Sequence, residues 1–154
     1  MRAVLGFQAL GPEAACAVPS LIRLHRAANS DGLRVRITRV LGGIGQDAED
    51  AIPLLLNEAT NTNPEARCAS IVALAHIKKQ PDKVIPALIL ALHDPTTRFE
   101  ALKALQAFGT NGISALPDLE KLLQTNDEKP WRYSIRQAIK FLNPEWQGSE
   151  ALIK

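Results

Sequence analysis

Apolar residues recur along this chain at helical spacing. Ile37, Val40, Leu41 and Ile44 fall at i, i+3, i+4 and i+7, as do Ala101, Ala104, Leu105 and Phe108, so each set forms one stripe of an α-helix. A second apolar series accompanies them, as in Val18, Leu21, Ile22 and His25, or Ile85, Leu88, Ile89 and Leu92. The pattern predicts helices in pairs, each a first helix, a tight turn and a second helix.

The pairs repeat. GPEAACAVPSLIRL, GQDAEDAIPLLLNE, KQPDKVIPALILAL and GTNGISALPDLEKL share one ending, with Pro19, Pro53, Pro86 and Pro117 spaced 34, 33 and 31 residues apart. Eight residues before each proline stands Gly11, Gly45, Lys78 or Gly109, preceded by Leu10, Ile44, Ile77 or Phe108. Ten residues before the last three of those lie Arg34, Arg67 and Arg98, and Arg132 keeps the register before Leu142. The glycines suit the left-handed position that closes a helix. The prolines suit the first turn of the second helix, where an N–H has no intrahelical partner. Asn63-Pro64 and Asp94-Pro95 read as N-cap plus first helical residue, where the next unit opens.

One such hairpin cannot cover its apolar face, so neighbours must stack around a continuous core. The expected fold is all-α, an α-solenoid of about four and a half helical hairpins. The segments RVLGGIGQDAEDAIPLLL, ALAHIKKQPDKVIPALI and ALQAFGTNGISALPDL resemble HEAT repeats, in the short form of the phycobilisome-lyase type, and the resemblance covers nearly the whole chain. It implies a right-handed superhelix in one domain over 1–154, with repeats near 1–30, 31–62, 63–93, 94–126 and an incomplete 127–154. Met1 enters partway along a first helix, and residues 149–154 resemble the opening of a second. With Phe7 at one end and Leu152 and Ile153 at the other, no polar cap is evident. The expectation is therefore a piece of a longer array, or end-to-end self-association.

Composition narrows the function. Of 154 residues 46% are hydrophobic but only 5% aromatic, so the core is aliphatic and one domain suffices. Eighteen basic and sixteen acidic residues leave a net +2, too mild to indicate nucleic acid by bulk charge. No apolar run approaches the roughly 20 residues of a membrane helix. Met1-Arg2 and the stretch to Ala15-Cys16-Ala17 mimic a secretory signal. Gln8, two glycines and Pro12-Glu13 interrupt that stretch, and the same residues fit the repeat, so 1–17 is read as part of the fold. Cys16 and Cys68 form no disulfide framework and read as small apolar fillers. A cytoplasmic location is expected.

Candidate chemistry is sparse. Gly43-x-Gly45-x-x-Ala48 imitates a dinucleotide fingerprint, but the residues before it keep the helical frame of the other repeats. His25, His76 and His93 have no ligand partner at i+4 and read as half-buried structural histidines, so neither a metal nor a cofactor is expected. Trp131 and Trp146, with Tyr133 between them, suit either a contact surface or a cover for the end of the stack. No catalytic set is found, so the chain is read as no enzyme. Arg34, Arg67, Arg98 and Arg132 follow acids: Asp31, Glu65, Asp94, and Asp127 or Glu128. The resemblance implies a ladder of ion pairs joining adjacent units, and the alternative is a phosphate-reading edge reinforced by Arg36, Arg39 and Arg136.

The resemblance also implies that second helices line a concave face. On them the positions one and four after each proline point away from the core: Ser20, Leu54, Ala87 and Asp118, then Arg23, Asn57, Leu90 and Lys121. Leu54 and Leu90 form an apolar strip rimmed by polar groups, the pattern of a groove for a protein or peptide. If the register is off by one, these leucines are core instead. The expected function is a non-catalytic interaction scaffold. The rivals are a nucleic-acid or phosphate module using the arginine edge, and a non-catalytic domain of a larger enzyme such as a chromophore lyase.

Overall fold

A computed structural model describes residues 12–125 and 129–147. The signal-like start, Gly11, the acids Asp127 and Glu128, and the apolar ends Phe7, Leu152 and Ile153 lie outside the described residues. Within them the chain is helical throughout, with no strand. The order is α1 (Pro12–Ala15), α2 (Val18–Ala27), α3 (Asp31–Ile44), a 3-10 segment (Gly45–Ala51), α4 (Ile52–Glu58), α5 (Pro64–Ile77), α6 (Pro81–Ala91), α7 (Arg98–Ala107), a second 3-10 segment (Gly109–Ala115), α8 (Leu116–Thr125) and α9 (Lys129–Leu142). First helices are α3, α5, α7 and α9; second helices are α2, α4, α6 and α8.

Local chemistry sets the boundaries. Ser30 caps α3 by accepting the Leu33 N–H at 3.4 Å, and the Asn63 side chain accepts the Glu65 N–H at 2.9 Å with Pro64 opening α5. Both remove an orphan donor from a first turn. The residue that follows α3, α5 and α7 has positive φ, though α9 ends without one: Gly45 stands at 78°, Lys78 at 52° and Gly109, one residue after the α7 cap, at 56°. Glycine takes that conformation without steric cost, whereas Lys78 holds it against the clash of its Cβ.

Two boundaries differ from expectation. Pro19, Pro53 and Pro117 each stand second in their helix, but Pro86 lies inside α6. The third unit lacks the 3-10 segment that delays α4 and α8; Lys78 and Gln80 both turn left-handed, and the helix starts at once on Pro81. Pro86 then denies the Asp82 carbonyl its i+4 donor, a loss that water can make good because Asp82 is exposed. Nor does Asp94-Pro95 open a helix. Asp94 Oδ1 accepts the Thr96 N–H at 2.8 Å and the Thr96 hydroxyl at 2.7 Å, a closed turn of its own, and α7 begins only at Arg98, after Thr97.

First helices form one row, α3 on α5, α5 on α7 and α7 on α9. Each second helix packs chiefly on the first helix of the following unit: α2 on α3, α4 on α5, α6 on α7 and α8 on α9. Between the rows runs one aliphatic core, including Val18, Leu41, Leu55, Leu74, Leu88, Leu105, Leu119 and Ile139, closed by Trp131 and Leu142. Each of these large side chains stabilises the fold by about 1.5–3 kcal/mol through burial. Val35, Ala66 and Ala69 form a small second cluster between α3 and α5. Farther along the same two helices the backbones come close: a Cβ on Gly42 would lie 2.8 Å from Ala73 Cα.

That contact yields a paired prediction. Gly42→Ala drives a methyl into backbone and is expected to destabilise the fold by about 1–3 kcal/mol. Gly32→Ala, in the same helix with nothing within 4 Å of the added carbon, is expected to stabilise it by up to about 1 kcal/mol. Urea unfolding of the two variants reads both signs.

Candidate functional site

The second-helix face runs across α2, α4, α6 and α8. Ser20, Arg23, Asn57, Leu90 and Lys121 are exposed, and Leu54, Ala87 and Asp118 are half-buried. None of the eight is core, although Leu54 packs against it. Leu90 is 72% exposed, a large apolar side chain in water. Ser20 and Arg23 are joined by a 3.1 Å hydrogen bond. Sequence reasoning missed Leu24 and the four prolines of this face. Leu24 is 49% exposed beside Arg23; its equivalents Glu58 and Leu122 are buried, so the repeat carried no signal for it. Pro19, Pro53, Pro86 and Pro117 are all exposed. Their spacing from the residues four positions on puts them on the same helical stripe, and that signal was available.

Two clefts flank the stripe. One, of about 430 Å³, lies between α2 and α4 and is lined by His25, Arg26, Arg34, Leu54, Asn57 and Glu58, among others. The other, of about 690 Å³, lies between α6 and the second 3-10 segment, with Ile85, Pro86, Ile89 and Ile113 among its walls. A third depression of about 690 Å³ crosses the first-helix row and includes Arg39, Glu65, Cys68, Val72, His76 and Glu100.

The arginine ladder is built largely from backbone carbonyls. Arg34 donates to the Ala28 carbonyl at 2.9 Å and pairs with Asp31. Asp31 also accepts from Asn63 of the next unit at 3.2 Å. Arg67 donates to the carbonyls of Asn61 and Thr62, and reaches forward to Asp94 at 2.8 Å and the Thr96 hydroxyl at 3.0 Å. Glu65, expected to serve Arg67, instead takes Arg39 of the preceding helix at 2.9 Å, because it stands only two residues ahead of Arg67 on the opposite side of the helix. The Arg98 guanidinium lies 5.3 Å from the Phe99 ring centroid and 5.1 Å from that of Trp131, and the two rings meet edge-on. Arg132 holds the same register in α9, half-buried.

The ladder perturbs its acids. The Arg34 hydrogen bond, then that of Asn63, holds the Asp31 carboxyl below the usual carboxylate range. Thr96, through its hydroxyl and its N–H, and then Arg67 do the same for Asp94. The Cys68 thiol is pushed up, first by burial and then by the Glu100 charge, and lies 3.1 Å from the Thr96 carbonyl. Cys16 is exposed, so it is no core filler. The histidines are not half-buried either: His25 is 2% exposed, while His76 and His93 are exposed. The first lines the cleft between α2 and α4, and the others stand near helix ends.

The aromatics divide. Trp131 is core, Trp146 packs against it with its indole N–H 3.0 Å from Glu120, and Tyr133 is 64% exposed. Gly43 lies in the last turn of helix α3 and Gly45 caps it, so no strand precedes the pattern and the context of a dinucleotide site is missing. Among the described residues no group of three His, Cys, Asp or Glu is placed to hold a metal ion, and no helix is long and apolar enough to cross a membrane.

This repeating helical row identifies its family. The profile described as HEAT repeats matches residues 18–96 and 52–140, and the chain belongs to that family. Two crystal structures of engineered proteins from the Northeast Structural Genomics Consortium share its fold. One, 24% identical with a TM-score of 0.61, aligns over 86% of this chain and 67% of its own. The other, also 24% identical with a TM-score of 0.59, aligns over 84% of this chain and 40% of its own. The chain thus spans less than half the length of the second. No curated protein matches it. HEAT repeats generally serve as protein–protein interaction scaffolds.

The Arg67–Asp94 bond joins two units with both side chains largely shielded, 18% and 29% exposed. Arg67→Met is expected to cost about 1–2 kcal/mol in urea unfolding. A carboxyl whose folded pKa is depressed adds stability above its ordinary pKa, and that stability is lost as pH falls through the folded value. Acid unfolding is therefore expected to steepen below about pH 4, and Asp94→Asn is expected to flatten that slope relative to the parent protein.

Proposed function

We propose that the second-helix face is the concave groove of a non-catalytic scaffold, and that it holds a segment of a partner protein. The observation that carries this reading is Leu90. It stands 72% exposed on α6, in line with half-buried Leu54 and Ala87 and between polar ends made by Ser20 and Arg23 on one side and Asp118 and Lys121 on the other. Leaving a leucine in water forgoes about 1.5–3 kcal/mol of burial, which a partner segment recovers. An apolar strip with a polar rim is how helix-in-groove and extended-peptide sites are built. The arginine edge supports a phosphate-binding reading less well, because donors of Arg34, Arg67 and Arg39 are already engaged by carbonyls and carboxylates.

The test begins with affinity capture from native extract and identification of the retained protein by mass spectrometry. Leu90→Asp combined with Lys121→Glu is expected to abolish that capture while shifting unfolding by less than about 0.5 kcal/mol, since both residues are exposed. Lys103→Glu, on the first-helix row, is expected to leave capture intact. Equal retention by all three proteins refutes the groove.

A further inference from the structure

His25 is the one described histidine in the core, and its burial is unusual. The residue is 2% exposed, and no described residue gives its buried Nε2 a hydrogen bond. It lines the cleft between α2 and α4 together with Glu58, itself 7% exposed. Three charges act on it, one from each helix around the cleft: Glu58 of α4, Arg34 of α3 and Arg26 of α2 itself. Glu58 favours a proton on the imidazole, but one of its oxygens is already engaged by the Asn61 amide at 2.9 Å. Both arginines oppose the proton. Burial is the largest influence, and the outcome is a histidine held below its ordinary value. An imidazolium in this position is a buried cation without a dedicated partner.

We propose that His25 is a proton-operated latch: a second proton on its imidazole loosens α2 from the stack and opens the cleft that α2 shares with α4. In the closed state the neutral ring completes the apolar stripe of Val18, Leu21 and Ile22. In the open state water solvates the ring, which regains an ordinary affinity for protons. Protons therefore favour the open state between the depressed folded value and about pH 6.5. The sign is fixed. Closure is fully present above about pH 6.5 and is lost as pH falls toward the folded value. Asp31 and Asp94 act only in stronger acid, because their carboxyls are held below the usual range. The latch rests on the burial of His25 and the charges around it and does not require the partner proposed for the second-helix face, although Leu54 and Asn57 line the same cleft.

Amide hydrogen exchange of the whole chain at pH 7.5 and 5.5, corrected for intrinsic rates, reads it. The opening constant of α2 is expected to rise by up to about tenfold, while that of α9 changes less than twofold. His25→Leu removes the titrating group and is expected to bring α2 below twofold as well. No rise specific to α2, or the same rise in His25→Leu, overturns the latch. Titration of the ring by NMR in the native protein needs no variant at all: a midpoint below 6.5 is expected, and one at or above 6.5 overturns the proposal. Glu58→Gln is expected to lower that midpoint further, and an unchanged or higher midpoint counts against the charge arrangement on which the latch depends.

Discussion

Everything in this fold depends on an apolar stripe that its own hairpin leaves uncovered. A second helix such as α4 or α8 carries Leu55 or Leu119 and Leu123 on one side, and these side chains are buried against the first helix that comes after it in the chain. Each unit thus packs its second helix against the next. The rows of first and second helices cannot separate without exposing Leu41, Leu74 and Leu105 together, which makes the described stack one cooperative body and not a string of independent hairpins.

Polar chemistry is fitted around that constraint. Where the first helices run closest, side chains shrink to Gly42, Ala66, Ala69 and Ala73. Where the row ends at the turns, arginines bind the backbone carbonyls of the linking segments, those of Ala28, Asn61 and Thr62. Arg34 and Arg67 follow one rule there, and Arg98 adds a different solution by lying over Phe99 and Trp131. The turns are therefore held by hydrogen bonds and ring contacts, while most outward positions of the second helices, Leu90 among them, lie outside the core.

Much of this was legible in the sequence. The period of the prolines, the positive-φ residue eight positions earlier and the arginine register each reflect a steric or hydrogen-bonding demand made once per unit, so they survive as visible repeats. What escaped was chemistry specific to one copy. Pro86 keeps the proline register, yet it lies inside a helix because Lys78 and Gln80 replace a glycine-led 3-10 segment. Asp94-Pro95 has the composition of a helix start, yet Thr96 closes it into a turn. Glu65 stands on the wrong side of its helix for Arg67, and that geometry was hidden by a variable offset. The eight outward positions fell off the core as helical spacing required, but the same spacing also placed the four prolines beside them, a step not taken.

The interleaved packing has a further consequence. The repeat written in the sequence and the packing of helices adjacent in the chain are out of phase by one helix: the text reads first then second, whereas the neighbours that pack on each other are second then first. A chain break at residues 78–80 would leave α4 with α5 in one fragment and α6 with α7 in the other, each pair still joined by its own interface. A break at residues 92–97 would tear α6 from α7. Splitting the protein for reassembly, or splicing in an extra copy, is thus best tolerated within a hairpin and worst tolerated between hairpins, the reverse of what the written repeat suggests.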